Sequence, residues 1–314
     1  MTGMRIPPVL AVSVVVLYAF GYPLGALGVA AMSPFLLLLL RFAISGVLMF
    51  GVVRITGRRN PTGAALGHAV VVGLLAQATQ FIGCYLGLRA GVPAGVAALI
   101  IGVNPALTAV VARAVLHERL TVRRTLAAAL GLAAVVTACW STVPALAHAG
   151  AGMGFTLLGL VGIAVGGVYQ QRFCRDVDPV AGNAVGMLVA AVPAGFLTVA
   201  YGATVAHPVQ GAVVLVLMVL LSSMTATTLY LRVIGLAGAS GAAMLFAVIP
   251  SVSALFAFLM LGEPVHPGVV AGLLLGSAAC AVASLGGRRT PAPDQVVDEP
   301  ALSETGAVRC GASR

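Results

Sequence analysis

Arg41 is the residue of this chain that most needs a reason. It follows five leucines, Leu36 to Leu40, and precedes Phe42-Ala43-Ile44. A permanent cation therefore sits about two turns inside an apolar segment. A charge near the centre of a bilayer costs roughly 2.5–3.5 kcal/mol on insertion scales. Such a guanidinium either clamps or gates an anionic solute in a cavity, or snorkels to an interface, or is pinned on backbone carbonyls. The sequence leaves these readings open. Gln77 and Gln80 share one helical face, with Cys84 a turn further on. Tyr18 and Tyr22 stand four apart on another segment and form either an aromatic wall or an interfacial belt. Asn104 and Thr108 complete the first set of polar candidates; Tyr169, Gln170 and Asn183 are weaker ones. These groups bind by hydrogen bonds and charge. They do not make or break covalent bonds.

Signals for bond-making chemistry are weak by comparison. His117-Glu118 lacks the second histidine of a helical zinc site, and Gly238-Ala239-Ser240-Gly241 does not fit a nucleophile elbow. The five cysteines, Cys84, Cys139, Cys174, Cys280 and Cys310, form no CxxC pair and read as structural thiols. Asp176 and Asp178 invite a metal-dependent enzyme acting on lipid-linked substrates, which is the alternative reading. Only Arg172 and Arg175 accompany them, and no further acidic cluster does. No metal or cofactor is expected. Asn104-Pro105-Ala106 spells the tripeptide of water channels, but the second such motif is missing: the corresponding residues are Ile249-Pro250-Ser251.

The elements that must position the polar residues are set by composition. The chain is 60% apolar and 8% charged, against about 25% charged in soluble domains. Lipid must be the solvent for most of it. The net charge of +9 comes from arginine alone, since there is no lysine. The arginines stand at the ends of apolar stretches rather than on one basic face, so no nucleic-acid partner is implied. A membrane helix needs about 20 apolar residues. On that measure the charge-free stretches hold ten spans, near 9–28, 34–53, 67–88, 94–115, 124–141, 154–171, 180–200, 211–231, 237–261 and 267–286. The expected fold is an all-α integral membrane protein of ten transmembrane helices.

The chain is also written twice. A shift of 145 positions brings Gly21 onto Gly166, Pro34 onto Pro179, Tyr85 onto Tyr230, Pro105 onto Pro250, Glu118 onto Glu263 and Gly131 onto Gly276. The loop arginines do not follow: Arg54, Arg58 and Arg59 land on Val199, Ala203 and Thr204. Five spans per copy force the second copy to insert upside down, and only cytoplasmic loops favour arginine. With the N-terminus inside, short inner loops collect 12 arginines and outer loops only Arg89. Both termini are thus expected in the cytoplasm, in a multi-pass protein of the cytoplasmic membrane. Inverted repeats of this kind point to a transporter. The same shift maps Gln77 onto Ser222, Gln80 onto Thr225 and Thr108 onto Ser253. Recurring polar positions are read as a shared cavity lining, against interhelical hydrogen bonding worth about 0.6 kcal/mol on average. Arg41 maps onto Gly186, which breaks the symmetry. The expected solute-binding set is Arg41, Gln77, Gln80, Thr108, Ser222, Thr225, Ser253, Tyr22 and Asn104.

Each copy carries a proline in its fourth span and a glutamate thirteen residues later, Pro105 with Glu118 and Pro250 with Glu263, followed by a glycine-rich fifth span. With Arg41-Phe42 in the second span, these features resemble the two halves of an EamA-type member of the drug/metabolite transporter superfamily. The resemblance implies repeats over 1–141 and 153–287, a cavity between them, and alternating access that exports a small organic metabolite, amino acid or drug. The partners implied are a small-molecule solute and membrane lipid. The family includes uniporters, exchangers and proton-coupled members, and this chain does not choose. Nor does it fix a monomer or homodimer. Two departures stand out: His117 where a glycine is usual, and Gly186 opposite Arg41. Glu118 and Glu263 sit at helix ends and read as helix caps. Pro105 and Pro250 are expected to kink their helices. Residues 288–314 read as a disordered cytoplasmic tail.

Overall fold

Proline starts most of the helices. It lacks the N–H that a first turn leaves unpaired, and its φ is preset for helix. In the computed structural model α1 (Pro8–Ala31), α2 (Pro34–Ile55) and α7 (Pro179–Tyr201) all begin this way. The structure describes residues 6–284 apart from 91, 93–96, 98–99, 118–121, 139, 141–149, 151 and 263–266. The remaining helices are α3 (Gly63–Arg89), α4 (Asn104–Leu116), α5 (Val122–Ala138), α6 (Gly152–Phe173), α8 (208–237), α9 (239–261) and α10 (Pro267–Ser284). Among the described residues, six helical stretches are long and apolar enough to cross a membrane, and four shorter apolar helices accompany them. The calls on Glu118, Glu263 and residues 288–314 fall outside the described residues.

The bundle buries a minority of polar residues within an apolar interior, and its outside is apolar as well. Arg41, Ser45, Gln77, Gln80, Asn104, Thr108, Asn183, Ser222 and Ser223 are buried, while Val47, Val192, Phe196, Val199, Leu259 and Leu274 are exposed. Lipid accepts such a surface, and polar groups at membrane depth survive only where they face protein or a cavity. This is a multi-pass membrane protein.

The two halves interlock. The pairs α2–α7 and α5–α10 join equivalent helices, and α1 packs on α8 and α9 as α6 packs on α3 and α4. The repeat is visible in the helix bounds themselves: Asn104–Leu116 in α4 corresponds under the 145-residue shift to Ile249–Leu261 in α9. Both segments end on a left-handed residue, His117 at φ 53° and Gly262 at φ 71°. His117 therefore occupies the C-cap that glycine fills in the other copy. Pro105 and Pro250 stand in the first turn of these segments rather than mid-helix. Each starts an α-helical segment, where a missing N–H costs nothing; within α9 a 3₁₀ turn at Met244–Ala247 already interrupts the α-helix ahead of Pro250. The expected 211–231 span runs on to residue 237. It stops at Gly238, whose φ of 79° only glycine adopts readily. Gln171 of α6 then accepts the Ala239 N–H at 2.6 Å and caps the start of α9.

Candidate functional site

The helices that meet at the centre are widened there. α3 contains a π-helical segment at Gly73–Thr79, and α8 contains one at Met218–Ala226. Both start at positions related by the 145-residue shift. Wide turns free backbone carbonyls and recur at functional sites. Side chains take up those carbonyls here. Thr79 donates to Leu74 O at 2.8 Å and Thr225 to Leu220 O at 2.7 Å, each five residues back. Asn183 of α7 donates through Nδ2 to Ser223 O at 2.8 Å and to Thr228 Oγ1 at 3.0 Å.

Arg41 reaches from α2 into the widened turn of α8. Its Nε donates to Ser223 Oγ at 2.6 Å and its Nη2 to Ser222 Oγ at 3.0 Å. The guanidinium carbon lies 4.4 Å from the Phe81 ring centroid and 5.8 Å from that of Phe42. The residue is only 2% exposed, so it does not snorkel. Among the described residues its acceptors are two neutral hydroxyls, and the one ion pair lies elsewhere, between Arg58 and Asp178. The equivalent crossing in the other half, α7 on α3, has no side chain to hold. Gly186 lies against Gly73 so closely that a Cβ on Gly73 would collide with the Gly186 backbone.

A small cavity lies beside this arrangement. Its polar and aromatic walls are Tyr18 of α1, Gln77 and Gln80 of α3, Gln170 of α6 and Tyr230 of α8, closed by Ala76, Ile163 and Ile234. There is room for little more than a water molecule. Gln77 Oε1 is buried without a hydrogen-bond partner. Tyr18, Tyr230 and Phe246 stack edge-on, with centroids 5.4–5.8 Å apart. Gln170 is near the end of α6, and Ile234 is near the Gly238 break. The cavity therefore sits toward the end of the bundle that carries Arg58 and Asp178.

The expected residues divide accordingly. Gln77 and Gln80 line the cavity, and Ser222 is an acceptor for Arg41. Thr108 donates to Asn104 Oδ1 at 2.9 Å; both are buried, and Asn104 Nδ2 has no partner. Ser253 is half-buried. Thr225 is exposed, its hydroxyl turned to its own helix, whereas Gln80 lines the cavity. Tyr22 is 40% exposed, whereas Tyr18 is the member of that pair that reaches the cavity. Ser223 and Tyr230 were missing from the expected set. Tyr230 matches Tyr85 under the repeat shift, so a signal for it existed; Ser223 matches an alanine, Ala78, and had none.

The two ends of the bundle close differently, using equivalent loops. At one end Ser33 N–H donates to Thr204 O at 2.9 Å, Ala206 N–H and His207 N–H donate to Ala31 O at 2.8 and 3.1 Å, and Met32 forms an antiparallel bridge with Val205. At the other end Asp178, the counterpart of Ser33, caps α7 by accepting from Val180 and Ala181 N–H and pairs with Arg58 at 2.6 Å.

The sequence of each copy, over residues 6–140 and again over 150–285, matches the EamA-like transporter family. The chain belongs to the EamA-like transporter family. The fold agrees: a solved crystal structure with 18% sequence identity superposes with a TM-score of 0.75, covering 88% of this chain and 96% of the other. No curated protein is detectably similar in sequence. In this EamA-like chain the family pattern accounts for the paired prolines and the doubled architecture. The Arg41 crossing is a feature of one half alone. Among the described residues no group of His, Cys, Asp and Glu could hold a metal ion.

Proposed function

We propose that this protein is a secondary transporter that exports a small organic solute across the cytoplasmic membrane by alternating access. The observation that carries the reading is the cavity itself: equivalent elements of two inverted repeats meet there, and its walls are amides and tyrosine hydroxyls buried at membrane depth. That is where repeat-built transporters bind their cargo. Tyr22, Asn104, Thr108, Ser222, Thr225 and Ser253 belong to the proposed solute path with Arg41, Gln77 and Gln80, the exposed Thr225 as its outermost member. The arginine excess of the 54–59 and 172–175 loops supports a cytoplasmic location for that end and for both termini. The cavity then opens more readily toward the cytoplasm, which suits loading for export.

The test is counterflow in proteoliposomes. A panel of acidic, neutral and basic organic solutes should include at least one with saturable, protein-dependent exchange. In cells, Arg59→Cys in a cysteine-free background should react only from the cytoplasm and Ala203→Cys only from outside. Absence of exchange for every solute, together with altered lipid turnover, would overturn transport in favour of a lipid-acting enzyme. Reversed labelling would overturn the orientation.

A further inference from the structure

Arginine carries five N–H donors in a rigid fork and always bears its charge. Here two donors meet serine hydroxyls, one ring face is covered by Phe81, and no carboxylate balances the charge among the described residues. A buried cation without an anion is the arrangement a low-dielectric interior disfavours most. The fold does not demand it, because the equivalent α7–α3 crossing closes with Gly186 on Gly73. The hydroxyls also carry no counter-charge, whereas a carboxylate can take a guanidinium in a bidentate, charge-paired fork. Arg41 lies within electrostatic reach of Tyr18, a wall of the cavity. Gln77, another wall of that cavity, has a buried Oε1 with no hydrogen-bond partner among the described residues.

We propose that Arg41 is the anion-recognition residue of the transport cavity, and that the solute is a small organic acid whose carboxylate replaces Ser222 and Ser223 on the guanidinium while a donor of the same molecule meets Gln77. This rests on the transport reading. In the empty protein the two serines hold the fork in place. An arriving carboxylate exchanges neutral acceptors for a charged one and supplies the missing counter-charge. The repeat confines this site to one half, so the solute is bound asymmetrically by a pseudo-symmetric protein.

The experiment is counterflow in proteoliposomes with short-chain, dicarboxylic and aromatic carboxylates, each paired with its primary amide. At least one carboxylate should exchange saturably while its amide does not. Arg41→Gln should lower that exchange about tenfold or more, the worth of a lost charge-assisted hydrogen bond. The double variant Ser222→Ala with Ser223→Ala keeps the charge and removes the competing acceptors, so the KM for the carboxylate should fall. It decides the matter if Arg41→Gln yields no folded protein: an unchanged or higher KM overturns the proposal. Equal exchange of acid and amide, or unchanged exchange in Arg41→Gln, also overturns it. Exchange confined to basic or neutral solutes overturns the anion site and leaves transport standing. No exchange of any solute overturns transport, and this site with it.

Discussion

Two helix crossings that the repeat makes equivalent have been built from opposite materials. Where α7 crosses α3, Gly186 meets Gly73 backbone to backbone, and the neighbouring α6–α3 seam continues the pattern with Gly159 and Gly83. Where α2 crosses α8, Arg41 fills the space and binds Ser222 and Ser223. Close glycine contact between membrane helices gives dense packing with nothing to rearrange. A guanidinium on two hydroxyls gives contacts that another acceptor can take over. The contrast separates a fixed seam from an exchangeable one within a single doubled fold, and the proposed anion site lies on the exchangeable seam.

The largest effect is expected where the fixed seam is broken. Gly73→Leu places side-chain atoms inside the Gly186 backbone, and overpacking of that kind costs about 3 kcal/mol or more. Thermal unfolding in detergent should show a clear fall in Tm, larger than that of Arg41→Gln. A Gly73→Leu protein with the wild-type Tm would show that the crossing is not tight. A smaller effect is expected at the ends of the bundle, where the same contrast returns. Several backbone hydrogen bonds close the Ser33–Thr204 end, while a half-exposed ion pair joins Arg58 to Asp178. Exposed pairs contribute roughly 0–1 kcal/mol and are screened by salt. Arg58→Gln should change the exchange rate less than about fivefold and remove most of its dependence on ionic strength. A loss beyond that range, or a salt dependence kept in the variant, would mean that the ionic end is not the weaker clasp.

Much of this architecture was legible in the residues. Span lengths follow from the apolar stretches because lipid fixes how long a helix must be, and the helix starts follow from Pro8, Pro34, Pro179 and Pro208. The inverted repeat followed from the odd span count. What stayed hidden was local. The π turns of α3 and α8 leave no mark on hydrophobic periodicity. Nor does the repeat shift announce that Gln80 lines the cavity while its partner Thr225 faces out. Pro105 and Pro250 looked like mid-span kinks because the break before them is made by apolar residues such as Val103 and Val248. Arg41 was conspicuous by its charge, but its partners lie 181 and 182 residues away, and only the folded chain brings them together.

Under the proposed alternating access, solute crosses only because the two ends open in turn. The direct measurement is exchange in proteoliposomes after locking each end separately, with a cysteine pair at Ser33 and Thr204 or one at Arg58 and Asp178 in a cysteine-free background. Either crosslink should abolish exchange, and reduction should restore it. Exchange that continues with either end locked would contradict alternating access through this cavity.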